Sequence, residues 1–169
     1  MLKVLVLLIG LVFSNLAYAT CPNLLIGDSL AVGMSQYAKL AGWQTITRTG
    51  AGFSWFQSIR PFCVNRIVLV LGTNDLRGLT NTNVIDYRNR VIERLKLWQT
   101  DNIIWATPGC PSNSRLNNGS IILDDATNKL TIVDRGRIHR CYVNEPASIH
   151  PSSTVYNQWW RHLLSVSSH

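Results

Sequence analysis

The sequence predicts an α/β fold built on a parallel sheet, and three observations carry that expectation. Short apolar runs alternate along the chain with stretches whose apolar residues recur at helical spacing. Ile67-Val68-Leu69-Val70-Leu71 is apolar throughout and lacks the polar alternation of a strand with one wet face, so it reads as a strand buried on both faces. Two apolar runs, Asn23-Leu24-Leu25-Ile26 and Arg66 to Leu71, lead straight into polar, glycine-led segments, Gly27-Asp28-Ser29-Leu30 and Gly72-Thr73-Asn74-Asp75. That is where an open parallel sheet delivers functional groups, at the carboxyl ends of its strands.

Taken in order, residues 1–19 read as a secretory signal peptide. Lys3 supplies a positive charge, Val4 to Phe13 is apolar, and Ala17-Tyr18-Ala19 is a small-x-small cleavage site before Thr20. The apolar run is well short of the roughly 20 residues that cross a bilayer. A single domain over 20–169 is then expected, secreted or periplasmic, with no stable membrane insertion after cleavage.

Within that domain, Asn23 to Gly27 is the first strand, and Leu30, Met34, Tyr37 and Leu40 or Ala41 mark a helix over Leu30 to Trp43. Gln44 to Thr49 alternates as a second strand, the turn Gly50-Ala51-Gly52 follows, and Phe53 to Ile59 is a short helix. After the third strand, Ile67 to Leu71, the clearest helix covers Asn83 to Trp98, with Val84, Tyr87, Val91, Leu95 and Trp98 on its inner stripe. Asn102 to Ala106 is a fourth strand ending at Pro108-Gly109. Ile121-Ile122-Leu123 and Leu130 to Val133 flank a turn-like segment and suggest a hairpin. Arg140 to Val143 is the candidate fifth strand, and Val155 to Val166 a closing amphipathic helix.

The formal net charge of +7 is spread over scattered arginines and lysines with no reading helix or stacking sheet, which argues for a solvated surface and against nucleic acid as partner. The 4 cysteines, Cys21, Cys63, Cys110 and Cys141, all follow the leader and are even in number, as a disulfide framework requires. No CxxC or HxxxH spacing supports a metal site, and no cofactor motif is present. Sequence alone leaves three pairings open.

Ser29 and His150 are the candidate nucleophile and base. A serine hydroxyl is a weak nucleophile at neutral pH and needs a base within hydrogen-bond reach, and an imidazole, titrating near ~6.5, is the side chain suited to it. The competing readings are structural. A serine after a strand often only caps a helix, Asn74 can be a turn former, and a histidine before Pro151 can be a surface residue. Asp28 reads as a local hydrogen-bonding residue and Asp75 as a cap. Ser29 also lacks the glycine two residues later that marks the nucleophile elbow of the α/β-hydrolases.

Gly27-Asp28-Ser29-Leu30, the glycine turn ending at Gly52, Gly72-Thr73-Asn74-Asp75 and Ile149-His150-Pro151-Ser152 together resemble the four signature blocks of the SGNH/GDSL hydrolase superfamily, in order and at compatible spacings. The resemblance implies a three-layer α/β/α sandwich with a flavodoxin-like parallel sheet of about five strands in order 2-1-3-4-5. It also implies hydrolysis of carboxylic esters. By that resemblance Ser29 and His150 are catalytic, and the oxyanion donors are the Ser29 N–H, the Gly52 N–H and the Asn74 amide, each worth roughly 3–4 kcal/mol. Trp55, three residues past Gly52, is a candidate substrate contact.

The same strand order makes the first and third strands parallel neighbours. Cys21 and Cys63 each precede one of them, so Cys21–Cys63 is the expected bridge, leaving Cys110–Cys141 by elimination. One departure stands out. The family commonly carries an aspartate three residues before the histidine, where this chain has Ala147, and Glu145 is the nearest carboxylate. The site is therefore expected to be either a Ser-His dyad or a triad using Glu145 as acid or orienter. The expected function is a secreted or periplasmic esterase acting on short acyl or acetyl esters of a small molecule or an envelope polysaccharide. The alternative is a catalytically silent module of the same fold that binds a glycan or anionic polymer.

Overall fold

The structure, a computed structural model, describes residues 21–108, 118–123 and 150–165. The elements follow as β1 (Asn23–Gly27), α1 (Ser29–Leu40), β2 (Gln44–Thr47), α2 (Phe53–Ser58), β3 (Arg66–Val70), α3 (Asn81–Lys96) and β4 (Ile103–Ala106). Residues 118–123 are helical and are designated α4, and α5 (Ser153–Ser165) follows.

The strands pair in parallel in the order β2-β1-β3-β4, which agrees with the order expected for these elements. The candidate fifth strand at 140–143 lies outside the described residues. Alternation of side chains along each strand explains the layering. Leu24, Ile26, Ile67, Leu69, Ile103 and Trp105 project to one face, where they meet Val84, Tyr87, Val91 and Leu95 of α3. Leu25, Val68, Val70, Ile104 and Ala106 project to the other, against Ala31, Met34 and Ala38 of α1 and Trp159, Trp160 and Leu163 of α5. Both faces are covered by helices, so β1, β3 and β4 are apolar along almost their whole length, as β3 reads in the sequence, while the edge strand β2 keeps polar residues. Trp160 meets Trp43 edge-on at 5.0 Å, fixing α5 to the sheet.

One expectation is overturned. Residues 121–123 are the end of a helical segment and not a hairpin strand, and the 130–133 half of that hairpin lies outside the described residues. Three consecutive apolar residues do not distinguish strand from helix. What decides is their environment: Ile121 is exposed while Leu123 is buried in the α3-side core.

Cys21 and Cys63 are bridged, with Cα atoms 5.3 Å apart, at the amino ends of the paired strands β1 and β3. The Asn65 N–H donates to the Pro22 carbonyl at 2.9 Å, and the Asn65 amide to Asn23 Oδ1 at 2.8 Å, so the bridge sits on an ordered junction. Cys110 and Cys141 lie outside the described residues. Closing a loop of sequence separation 42 restricts the unfolded chain by on the order of 4 kcal/mol. A Cys21→Ser/Cys63→Ser variant is expected to lose stability of that order in urea denaturation, and non-reduced peptide mapping should recover Cys21 joined to Cys63. Recovery of Cys21 on Cys110 or Cys141 would contradict the neighbourhood of β1 and β3.

Candidate active site

Three loops leave the carboxyl ends of adjacent strands, and register brings them side by side. Gly27 ends β1 opposite Thr47 of β2 and Val70 of β3. The Arg48 N–H donates to the Gly27 carbonyl at 3.0 Å and the Asp28 N–H to the Val70 carbonyl at 2.9 Å, which extends both pairings one residue past the strands. Glycine is required at 27 for space as well as for its φ of +158°, since a Cβ there would collide with the Val70 backbone.

Ser29 is the first residue of α1, and the cap of that helix is Asp28, whose Oδ1 accepts from the Leu30 N–H at 2.9 Å. The structural reading of Ser29 as a helix cap is thereby removed, because its neighbour performs that task. The Ser29 N–H belongs to the first turn, whose amides have no intrahelical acceptor.

Asp28 is fully buried, and its Oδ2 has no hydrogen-bond partner among the described residues. Burial raises its carboxyl from 3.8 to about 6; the Leu30 N–H and the adjacent Thr73 hydroxyl and amide oppose the rise, and the Asp75 charge adds to it. The folded state thus holds this proton more tightly than the unfolded chain does. Stability contributed by the protonated group is present below pH 4 and is lost as pH rises toward 6, which leaves a cost of about 3 kcal/mol at neutral pH. Asp28→Asn keeps an acceptor for Leu30 and places its amide beside the Thr73 hydroxyl. It is expected to raise the thermal unfolding midpoint at pH 7.5 and to have a much smaller effect at pH 4; an equal change at both pH values would remove ionisation as the cause.

The turn after β2 uses its two glycines for different reasons. Gly50 has φ of +74° with open space around it, so it serves the turn. Gly52, with φ of −128°, is the N-cap of α2, and a Cβ there would lie 2.7 Å from Asp75 Oδ1. Asp75 reaches across to accept the Phe53 N–H with both carboxylate oxygens, at 3.0 and 3.1 Å, and so caps α2 from another loop. Asn74, beside it, donates its Nδ2 to the Ala51 carbonyl at 2.7 Å. The same nitrogen carries a second hydrogen. The loop after β3 and the glycine turn after β2 are therefore held together through Asn74 and Asp75.

His150 is exposed and stands three residues before α5. α5, which follows it, packs on α1: the Tyr37 hydroxyl donates to the Ser153 carbonyl at 2.8 Å, and the Tyr156 ring covers Gly33, one turn after Ser29. The Tyr156 hydroxyl lies 3.5 Å from His150 Nδ1. Trp55 is half-buried and packs against the α3-side core from α2. Glu145 and Ala147 lie outside the described residues. Sequence reasoning missed Tyr156 and Gly33; the usable signal was a glycine four residues after the serine, on one helix face, paired with an aromatic in the first turn of the last helix.

No protein-family model and no curated protein sequence matches the chain. Solved structures do. The C-terminal catalytic domain of peptidoglycan O-acetyltransferase A from Streptococcus pneumoniae is 14% identical, with 87% of this chain and 92% of that one covered at a TM-score of 0.62. A putative lipolytic protein of the G-D-S-L family from Desulfitobacterium hafniense is 12% identical over 86% and 98% of the two chains, at 0.62. A carbohydrate esterase family 2 enzyme from Corynascus thermopiles (Myceliophthora fergusii) is 13% identical over 86% and 65%, at 0.58. At these identities the likeness is one of fold: the chain shares the α/β fold of these proteins, one of which is of the G-D-S-L family.

Proposed function

We propose that this chain is a secreted or periplasmic serine esterase that cleaves short-chain acyl or acetyl esters through an acyl-enzyme. The observation that carries the reading is Ser29 at the start of α1, released from capping by Asp28, in the loop between the strands whose own loops carry Gly52 and Asn74, tied together by Asp75 and the Ala51 carbonyl. In this reading His150 takes the Ser29 proton as Oγ attacks the acyl carbonyl. The negative charge that develops on the carbonyl oxygen is received by the Ser29 and Gly52 N–H groups and the second Asn74 amide hydrogen. Such donors work because they are fixed before the charge appears. The alkoxide leaves with the proton from His150, and water, deprotonated by the same ring, releases the acid.

The relatives in fold whose names state an activity, an O-acetyltransferase of peptidoglycan and a carbohydrate esterase, support acetylated envelope polysaccharide as the substrate class. The bridged Cys21–Cys63 supports an oxidising compartment, and among the described residues no helix is long and apolar enough to cross a membrane. Turnover of p-nitrophenyl acetate in preference to the octanoate by the purified protein is the expected result. Absence of turnover on both, with the fold intact, would leave a silent binding module.

A further inference from the structure

In a triad the ring nitrogen of the base that does not meet the serine is held by a carboxylate. In this chain Ala147 stands where the family resemblance leads one to expect that acid, while the Tyr156 hydroxyl stands 3.5 Å from His150 Nδ1. We propose that Tyr156 is the positioning residue of the His150 base, its hydroxyl oxygen accepting from Nδ1–H so that Nε2 carries the lone pair that removes the serine proton. The proposal rests on the Ser29–His150 reading above and deepens it.

The tyrosine is built as a fixed post. It is only 7% exposed, its ring stacks on Trp159 at 6.4 Å with an interplanar angle of 8°, and its N–H donates to the Ser152 carbonyl at 3.0 Å in the first turn of α5. On the opposite side the ring lies on Gly33, where a Cβ would overlap it. Gly33 follows Ser29 by four residues on the same face of α1. One ring therefore touches both the helix that begins at Ser29 and the segment that carries His150. Burial, with the Asp28 charge as the lesser cause, pushes the Tyr156 hydroxyl up to about 12. It is neutral throughout the working range and close enough to the Ser29 loop to feel its carboxylate. A neutral hydroxyl that accepts from Nδ1–H orients the imidazole without supplying the charge that a carboxylate gives to the imidazolium. The expected enzyme is slower than one with a full triad.

Tyr156→Phe retains the ring, its stack and its seat on Gly33, and deletes only the hydroxyl. With p-nitrophenyl acetate, kcat is expected to fall about tenfold, the order of one hydrogen bond, with KM and the unfolding midpoint unchanged. A phosphonate should still label Ser29, more slowly. In ¹⁵N spectra the His150 ring should move from the Nδ1–H form toward the Nε2–H form favoured by a free imidazole. Gly33→Ala, which displaces the ring from the other side, should give the same kcat loss with the hydroxyl still present. Full activity and unchanged His150 signals in Tyr156→Phe would overturn the proposal, as would a loss confined to Glu145→Gln. Retained activity in Ser29→Ala would instead overturn the Ser29 reading, so the two failures are separable.

Discussion

Ser29→Ala should lower ester turnover by at least about 10⁴-fold while the thermal unfolding midpoint stays where it is. The chemical half of the expectation follows from the place of Ser29 in the loop after β1, where the neighbouring Thr73 is buried and Asp28 Oδ1 caps Leu30. The structural half follows from the cap. Asp28 satisfies the Leu30 N–H, so removing the Ser29 hydroxyl costs the helix no partner, and alanine is well suited to the first helical position. His150→Ala should cost nearly as much by itself, and the double variant little more, because nucleophile and base act as one unit. A serine-directed phosphonate should label Ser29 and no other serine. Label recovered elsewhere, or turnover surviving in the alanine variant, would end the assignment.

The inner strands were legible because β1, β3 and β4 are buried on both faces and therefore almost wholly apolar, a signal that survives without neighbours, whereas the edge strand β2 was read from its alternation. β3, with Ile67, Val68, Leu69 and Val70 almost completely buried, is the clearest case. The helix stripe from Val84 to Leu95 was legible for the same reason in a 3.6-residue period. Residues 121–123 were not, since a short apolar run has no period to read. Of the candidate site, the sequence marked the loops after β1, β2 and β3, but the roles of residues inside them depend on contacts between distant residues. Sequence could not separate Gly50 from Gly52, because only the approach of Asp75 from the next loop makes the second glycine obligatory. Nor could it find Tyr156, which reads as one more apolar residue of an amphipathic helix until the adjacent His150 Nδ1 gives its hydroxyl a purpose.

Asn74→Ala should reduce kcat by about 10²–10³-fold with KM changed little, the signature of a donor used mainly in the transition state. Two roles meet in this side chain. One hydrogen of Nδ2 is spent on the Ala51 carbonyl at 2.7 Å, and in the proposed mechanism the second is offered to the developing oxyanion. Loss of the first alone would loosen the glycine turn and shift Gly52, a structural effect that would lower stability and raise KM together. Asp75 limits that loss, because its two contacts with the Phe53 N–H at 3.0 and 3.1 Å hold the same turn without Asn74. Steady-state kinetics beside thermal unfolding therefore separates the roles. A large kcat deficit at constant stability assigns Asn74 to the oxyanion. If Asn74→Ala instead unfolds at markedly lower temperature and retains most of its kcat, Asn74 is a turn fastener, and the negative charge must be met by the Ser29 and Gly52 amides without it.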